Sequence, residues 1–191
     1  MPTHIGEVIE SKTTQFICQA TELHRAPDFG SFVQVQDEHC SIVGVVYNTT
    51  TVSSDPSRKP VAYGQTEDEL RRQQPQIFQL LRTYFDVLVV GYYQNHQYCG
   101  FLPPQPSRIH SFVQQCSDGQ YKEISQNINY ISAILSSGCE CTDELVAALI
   151  RNCSRYHDDA TEYQRRVGSE LRRLLAADYE RFKTIIRRVR Q

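Results

Sequence analysis

The residues of this chain that could bind a metal are a group of cysteines near residue 140 and a histidine that follows them. Cys139 and Cys141 flank Glu140, and Cys153 and His157 lie on the next predicted helix. Paired cysteines of a structural zinc site are usually separated by about two to four residues, so a C-x-C pair followed by one cysteine and one histidine fits poorly. We therefore expect ordinary thiols at a turn between helices, with no metal and no cofactor.

No other residue pattern indicates catalysis. The six histidines have no mutual spacing that suggests a site, and no serine lies in a G-x-S-x-G elbow. The sequence G-x-x-x-x-G-K-[ST] is absent, so a bound nucleotide would find no P-loop cradle for its phosphates. Carboxylates stand mainly at predicted turns and helix starts, where they cap the helix and interact with its dipole. We predict that the protein is not an enzyme.

The charge distribution is more informative than the search for catalytic groups. Residues 161–191 contain nine basic and four acidic residues, a net charge of +5, whereas the rest of the chain carries −7. Such asymmetry attracts an acidic protein face or nucleic acid phosphates. The excess is concentrated at the C-terminal end, in Arg187, Arg188 and Arg190, which we take as the candidate partner-binding residues.

Three interpretations of this basic end stay open. It binds an acidic partner protein, it forms a solvated helix face that pairs with the acidic barrel of a neighbouring subunit, or it contacts nucleic acid. Sequence-specific recognition of nucleic acid is disfavoured because no RNP-type aromatic motif or helix-turn-helix is present. A continuous arginine stripe would favour nucleic acid, whereas arginines that alternate with carboxylates would favour protein contacts.

The elements that position these residues begin with short apolar segments separated by turns. In the segment 40–52, Ile42, Val43, Val45 and Val46 are typical of a buried strand, and Gly44 indicates a bulge, a bend or a close backbone approach. Turns are predicted at residues 37–39 and 117–119. Further strands are predicted within 5–20 (two strands) and at 31–36, 86–93, 97–102 and 109–113. Short strands joined by tight turns are typical of a small barrel or sandwich.

Helical patterns interrupt and then follow these strands. Thr66 and Glu69 form a capping-box signature that predicts a helix over 66–85, with a break at Pro75. Apolar residues at helical spacing then predict helices over 124–135, from Thr142, and from Asp159 to the end as one long amphipathic helix. Three such helices can bury their apolar stripes against one another as a small bundle.

The first part of the chain resembles the HAS-barrel, the small β-barrel at the N-terminus of HerA-type ATPases and of the catalytic and non-catalytic subunits of rotary ATP synthases. The resemblance covers roughly residues 1–116, and its matching pieces are Gly6-Glu7-Val8, Phe16, Gly30-Ser31-Phe32-Val33, Ile42-Val43-Gly44-Val45-Val46, Val89-Val90-Gly91-Tyr92 and the run from Pro103 to Pro106. It implies a domain that assembles rings and docks partner proteins. The chain departs from the family because helices, and not a nucleotide-binding core, follow the barrel.

We accordingly expect an α+β protein that is soluble and cytoplasmic, with no membrane span. A small β-barrel over residues 1–118, with a helical insertion at about 66–85, would precede a C-terminal helical domain over 119–191. The expected function is that of a non-catalytic assembly or adaptor module, with a protein partner or self-association. A nucleic-acid-binding accessory protein is the alternative, and a thiol or metal enzyme is the third interpretation.

The absence of a P-loop motif leads us to predict that the protein does not bind ATP. Calorimetric titration with Mg-ATP should give no binding heat and no hydrolysis, because the barrel precedes helices that lack a phosphate cradle. Binding in the micromolar range would contradict this expectation.

Overall fold

The structure, a computed structural model, describes residues 4–37 and 40–190 of the chain. The turn predicted at residues 37–39 falls partly on Glu38 and His39, which lie outside the described residues. So do the outermost residues of the two predicted domains.

Antiparallel strands form a closed barrel in the first part of the chain. Strands β2, β1, β7, β3, β4 and β5 are neighbours in that order, and the pairing of β2 with β5 closes the six-stranded ring. Strand β6 extends β5 as a hairpin beyond the ring. The expected N-terminal barrel is confirmed, and its strands are β1 (Gly6–Ser11), β2 (Gln15–Ala20), β3 (Phe32–Gln36), β4 (Ser41–Ser53), β5 (Leu81–Gln94), β6 (Gln97–Cys99) and β7 (Phe112–Gln115).

Residues 42–46 of strand β4 are buried on both faces of the strand. Ile42 and Val46 point into the barrel, where they join an interior cluster, whereas Val43 and Val45 belong to a second cluster outside it. Gly44 lies at a register shift against β5, and a Cβ there would lie 2.8 Å from the carbonyl oxygen of Leu88. The bulge and the close approach that the sequence indicates are therefore both present.

The helical insertion is shorter than predicted. Helices α1 (Glu67–Gln73) and α2 (Gln76–Gln79) flank Pro75, and the capping box between Thr66 and Glu69 is formed. The predicted continuation to residue 85 is wrong, because β5 already begins at Leu81. Phe85 lies fully buried in the barrel interior opposite Cys18, and this burial outweighs the helical spacing of the apolar residues around it.

The second part of the chain is helical, as expected, but its helices begin and end elsewhere. Ser117 caps a helix together with Gln120, so the predicted turn at 117–119 is the first turn of α3. The strand predicted at 109–113 begins only at Phe112. The predicted helix over 124–135 and the long helix from Asp159 are each divided in two, and the helices are α3 (Asp118–Gln126), α4 (Asn129–Ser136), α5 (Thr142–Ser154), α6 (Ala160–Leu174) and α7 (Tyr179–Val189).

The helices cover the outer face of β3, β4 and β5. One continuous apolar cluster contains Phe32, Val45 and Leu88 from these strands together with buried residues of α3 to α7. The ring of Phe32 lies edge-on to the rings of Tyr121 and Tyr130, with centroids 5.2 and 5.7 Å away. Among the described residues no strand pairing crosses residue 117, yet the apolar cluster includes residues from both sides of it. The domain boundary at residue 118 therefore stays a prediction.

Within the described part of the chain, no helix combines the length and the apolar character that crossing a bilayer requires.

A single buried hydrogen bond tests this packing. The backbone N–H of Phe32 donates to the Tyr121 hydroxyl at 2.8 Å. Tyr121→Phe leaves that N–H buried without an acceptor, so we expect the free energy of unfolding to fall by about 1–3 kcal/mol in chemical denaturation. Tyr156, which stacks on Tyr121 with ring centroids 4.4 Å apart, offers the control: Tyr156→Phe keeps the stack and should cost less than about 0.5 kcal/mol. Equal losses in the two variants would contradict the assigned role.

Candidate protein-binding surface

The basic end of the chain is a pair of helices, and not the single helix that its apolar spacing predicts. The chain turns at residues 175–178, and Asp178 accepts a hydrogen bond from the Arg181 N–H at 3.0 Å to cap α7. Asp159 caps α6 in the same way through the Glu162 N–H. Helix α7 packs on α5 and α6, with Ile185 fully buried.

Carboxylates are interleaved with the basic residues of these helices. Five of the nine basic residues form ion pairs within the described part of the chain. In three of these pairs both residues belong to the same helix and are about one turn apart. The other two pairs join α7 to the first turn of α5. The pairs are Arg165–Glu162, Arg173–Glu170, Lys183–Glu180, Arg181–Asp143 and Arg188–Glu144. These helices therefore do not present a continuous stripe of unpaired arginines.

The three candidate arginines do not lie in one environment. Arg188 Nε lies 2.9 Å from Glu144 Oε1, and the Arg188 carbonyl accepts a hydrogen bond from Arg151. Arg188 thus helps to hold α7 against α5. Arg187 and Arg190 are exposed and make no ion pair within residues 4–37 and 40–190, a property they share with Arg166 and Arg172 on α6. Whether any of them binds a partner stays a prediction.

An apolar groove runs between α6 and α7, with Arg190 among the residues that line it. Phe182, Ile186 and Val189 line it from α7, and Gly168 lies opposite on α6. The groove has a volume of about 340 Å³, and it is also lined by Arg190, which follows α7, and by polar residues of α6. Apolar floor and cationic rim together are typical of a surface that accepts an amphipathic, acidic partner.

The residues considered for metal binding lie in two separate places. Cys153 is fully buried, and burial raises its pKa to about 12, so it is a neutral thiol in the core. Cys139 and Cys141 line a cleft at the α4–α5 loop. Among the described residues, no three histidine, cysteine or carboxylate side chains come together in a group that could hold a metal ion.

His157 takes part in a structural contact between α3, α5 and α6. Its ring stacks on Tyr163 at 4.1 Å, and its Nε2 lies 2.8 Å from the Ser125 hydroxyl. Burial, together with the positive charges of Arg166 and Lys122, lowers the pKa of His157, so the ring is neutral at physiological pH. Ser125 is fully buried and its hydroxyl donates to the Tyr121 carbonyl at 2.5 Å. The serine is therefore inaccessible to a substrate.

The cleft lined by Cys139 and Cys141 was not predicted from the sequence. It has a volume of about 770 Å³ and lies between the barrel and the α4–α5 loop. Tyr47, Asn48 and Asp86 line its barrel side, and Asp86 Oδ2 accepts a hydrogen bond from Asn48 Nδ2 at 2.8 Å. Burial, the charge of Asp86 and Cys139 raise the pKa of Tyr47. The residues of this cleft are too far apart in sequence for their spacing to have indicated it.

Comparison with protein-family models and with curated proteins finds no match to this chain.

Proposed function

We propose that this protein is a non-catalytic assembly or adaptor module that binds an acidic protein surface through α6 and α7. The observation that carries the proposal is the interleaving of carboxylates with the basic residues of these helices. Among the described residues it leaves Arg166, Arg172, Arg187 and Arg190 without an ion pair, as separate positive charges. Separate charges, of which Arg190 lies beside an apolar groove, suit a protein face, which offers both carboxylates and apolar side chains.

The barrel supports the same proposal through its resemblance to the HAS-barrel. The closed six-stranded ring is compatible with a barrel domain, and HAS-barrels assemble rings and dock partner proteins. The helices that follow the barrel replace the ATPase core of those families. A docking barrel without an ATPase core suits a protein that connects other proteins or copies of itself.

The alternative is nucleic-acid binding through the same arginines. Four arginines without an ion pair on one helical hairpin could neutralise phosphates, and binding would then weaken steeply as salt rises. Interleaved carboxylates oppose this alternative, because each would repel the phosphate backbone.

The test reverses the exposed charges and spares the structural one. Arg187→Glu together with Arg190→Glu should weaken capture of the protein partner from an extract of the source organism by at least about tenfold, with a smaller loss at high salt. Arg188 is kept, because its reversal would place two carboxylates together at the α5–α7 contact and lower stability. Arg58→Glu with Lys59→Glu, on the exposed loop before α1, makes the same change in net charge and should leave capture unchanged.

A binding titration with nucleic acid distinguishes protein binding from nucleic-acid binding. Fluorescence anisotropy with labelled single- and double-stranded oligonucleotides should show no binding at physiological salt. Oligonucleotide binding with a steep salt dependence and no captured protein would overturn the proposal, and so would equal capture by the wild type and the double reversal.

A further inference from the structure

Strand β4 has β5 along one edge and β3 along the other, and it extends well beyond the end of its pairing with β3. Strand β3 pairs with residues 41–45 of β4, whereas β5 pairs with β4 as far as Ser53. Backbone bonds from Gly30 and Ser31 extend the β3 side only to Val46. In the described part of the chain no strand pairs with the edge of residues 48–52 that points away from β5, and all five of these residues are exposed. They form a free sheet edge.

The backbone groups on that edge can be assigned. The Ser54 N–H donates to the Leu80 carbonyl at 2.7 Å, so Ser54 faces β5. Alternate residues of an antiparallel strand direct their backbone groups to the same side. Thr50 and Val52 therefore also face β5, while Thr49 and Thr51 present their N–H and C=O groups to the free side.

The free edge lacks the features that usually protect such edges. Natural edge strands carry lysines, prolines or bulges that prevent another strand from pairing. Residues 48–52 read Asn-Thr-Thr-Thr-Val, with no charge and no proline, and threonine and valine favour extended backbone. The register shift against β5 lies before Asn48, and pairing is regular from there to Ser53. The edge is thus ready to accept one more strand.

The large cleft adds a charge to one end of this edge. Asp86 pairs with Asn48 across β4 and β5, and it lies half-buried among the cleft residues. Its carboxylate accepts the Asn48 hydrogen bond but makes no ion pair with a lysine or arginine of the described chain. A residue of an added strand beside Asn48 would lie about 10 Å from Asp86, two strand spacings away, so only a long basic side chain would reach it.

We propose that residues 48–52 pair with an extended segment of a partner protein that carries a lysine or arginine, whose charge pairs with Asp86. Main-chain hydrogen bonds from Thr49 and Thr51 would give affinity, and the cleft would select the basic residue. A second copy of this chain fits less well, because its own residues 48–52 contain no basic side chain for Asp86. This surface is separate from the arginines of α6 and α7, and the inference does not depend on the function proposed for them.

The test uses a phage-displayed library of random nine-residue peptides, selected on the full-length protein. Enriched peptides should combine β-branched residues with a lysine or arginine. Thr49→Pro removes an outward N–H without removing one that faces β5, so it should weaken a selected synthetic peptide by at least about tenfold. Thr49→Ala removes the same side chain but keeps the N–H, and binding should stay within about twofold.

Asp86→Asn tests the charge separately and remains informative if Thr49→Pro lowers the melting temperature. It should weaken the selected peptide by about tenfold and leave a lysine-to-glutamine version of that peptide unaffected. Three results would overturn the proposal. The first is that no peptide is enriched above a protein-free control, and the second is that selected peptides bind both variants with the affinity of the wild type. The third is self-association in sedimentation that Thr49→Pro abolishes. The last would assign the edge to a second copy.

Discussion

The structure depends on the burial of residues 42–46 of β4 from two sides. Its inward residues fill the barrel and its outward residues meet the helices, so one strand contributes to both apolar clusters. Burying an aliphatic side chain is worth about 1.5–3 kcal/mol, and Val43 and Val45 would lose that contribution if the helices were absent. The same holds for Phe32 on β3 and Leu88 on β5. The helices therefore complete the outer face of the barrel.

This constraint also determines where the basic residues point. Helix α5 is almost wholly buried between the barrel and the other helices, so its first turn is held in place. Asp143 and Glu144 on that turn pair with Arg181 and Arg188, and α7 is oriented by these two contacts. Because both pairs are partly exposed, each contributes only about 0.2–1 kcal/mol. Their main effect is orientation, which leaves Arg187 and Arg190 exposed.

Much of the fold follows from local patterns, and the errors arise where tertiary burial competes with them. The β-branched residues between Ile42 and Val46 correctly predict a buried strand, and the capping box at Thr66 correctly predicts the start of α1. The spacing of apolar residues up to Phe85 suits a helix as well as a strand, and only the barrel interior decides for the strand. Neither the exposed edge at residues 48–52 nor the pairing of Arg188 with Glu144 could be predicted, since both depend on which distant segment lies alongside.

Hydrogen exchange measured by mass spectrometry tests the central claim, that the barrel and the helices share one core. The slowest amides of residues 41–46 in β4 and of residues 145–150 in α5 are compared under conditions where exchange reports the opening equilibrium. The shared apolar cluster predicts one free energy of opening for both segments, with a parallel decrease in both as denaturant is added. Exchange of α5 through a much lower free energy, while β4 stays protected, would show that the barrel is stable without the helices and would contradict the account.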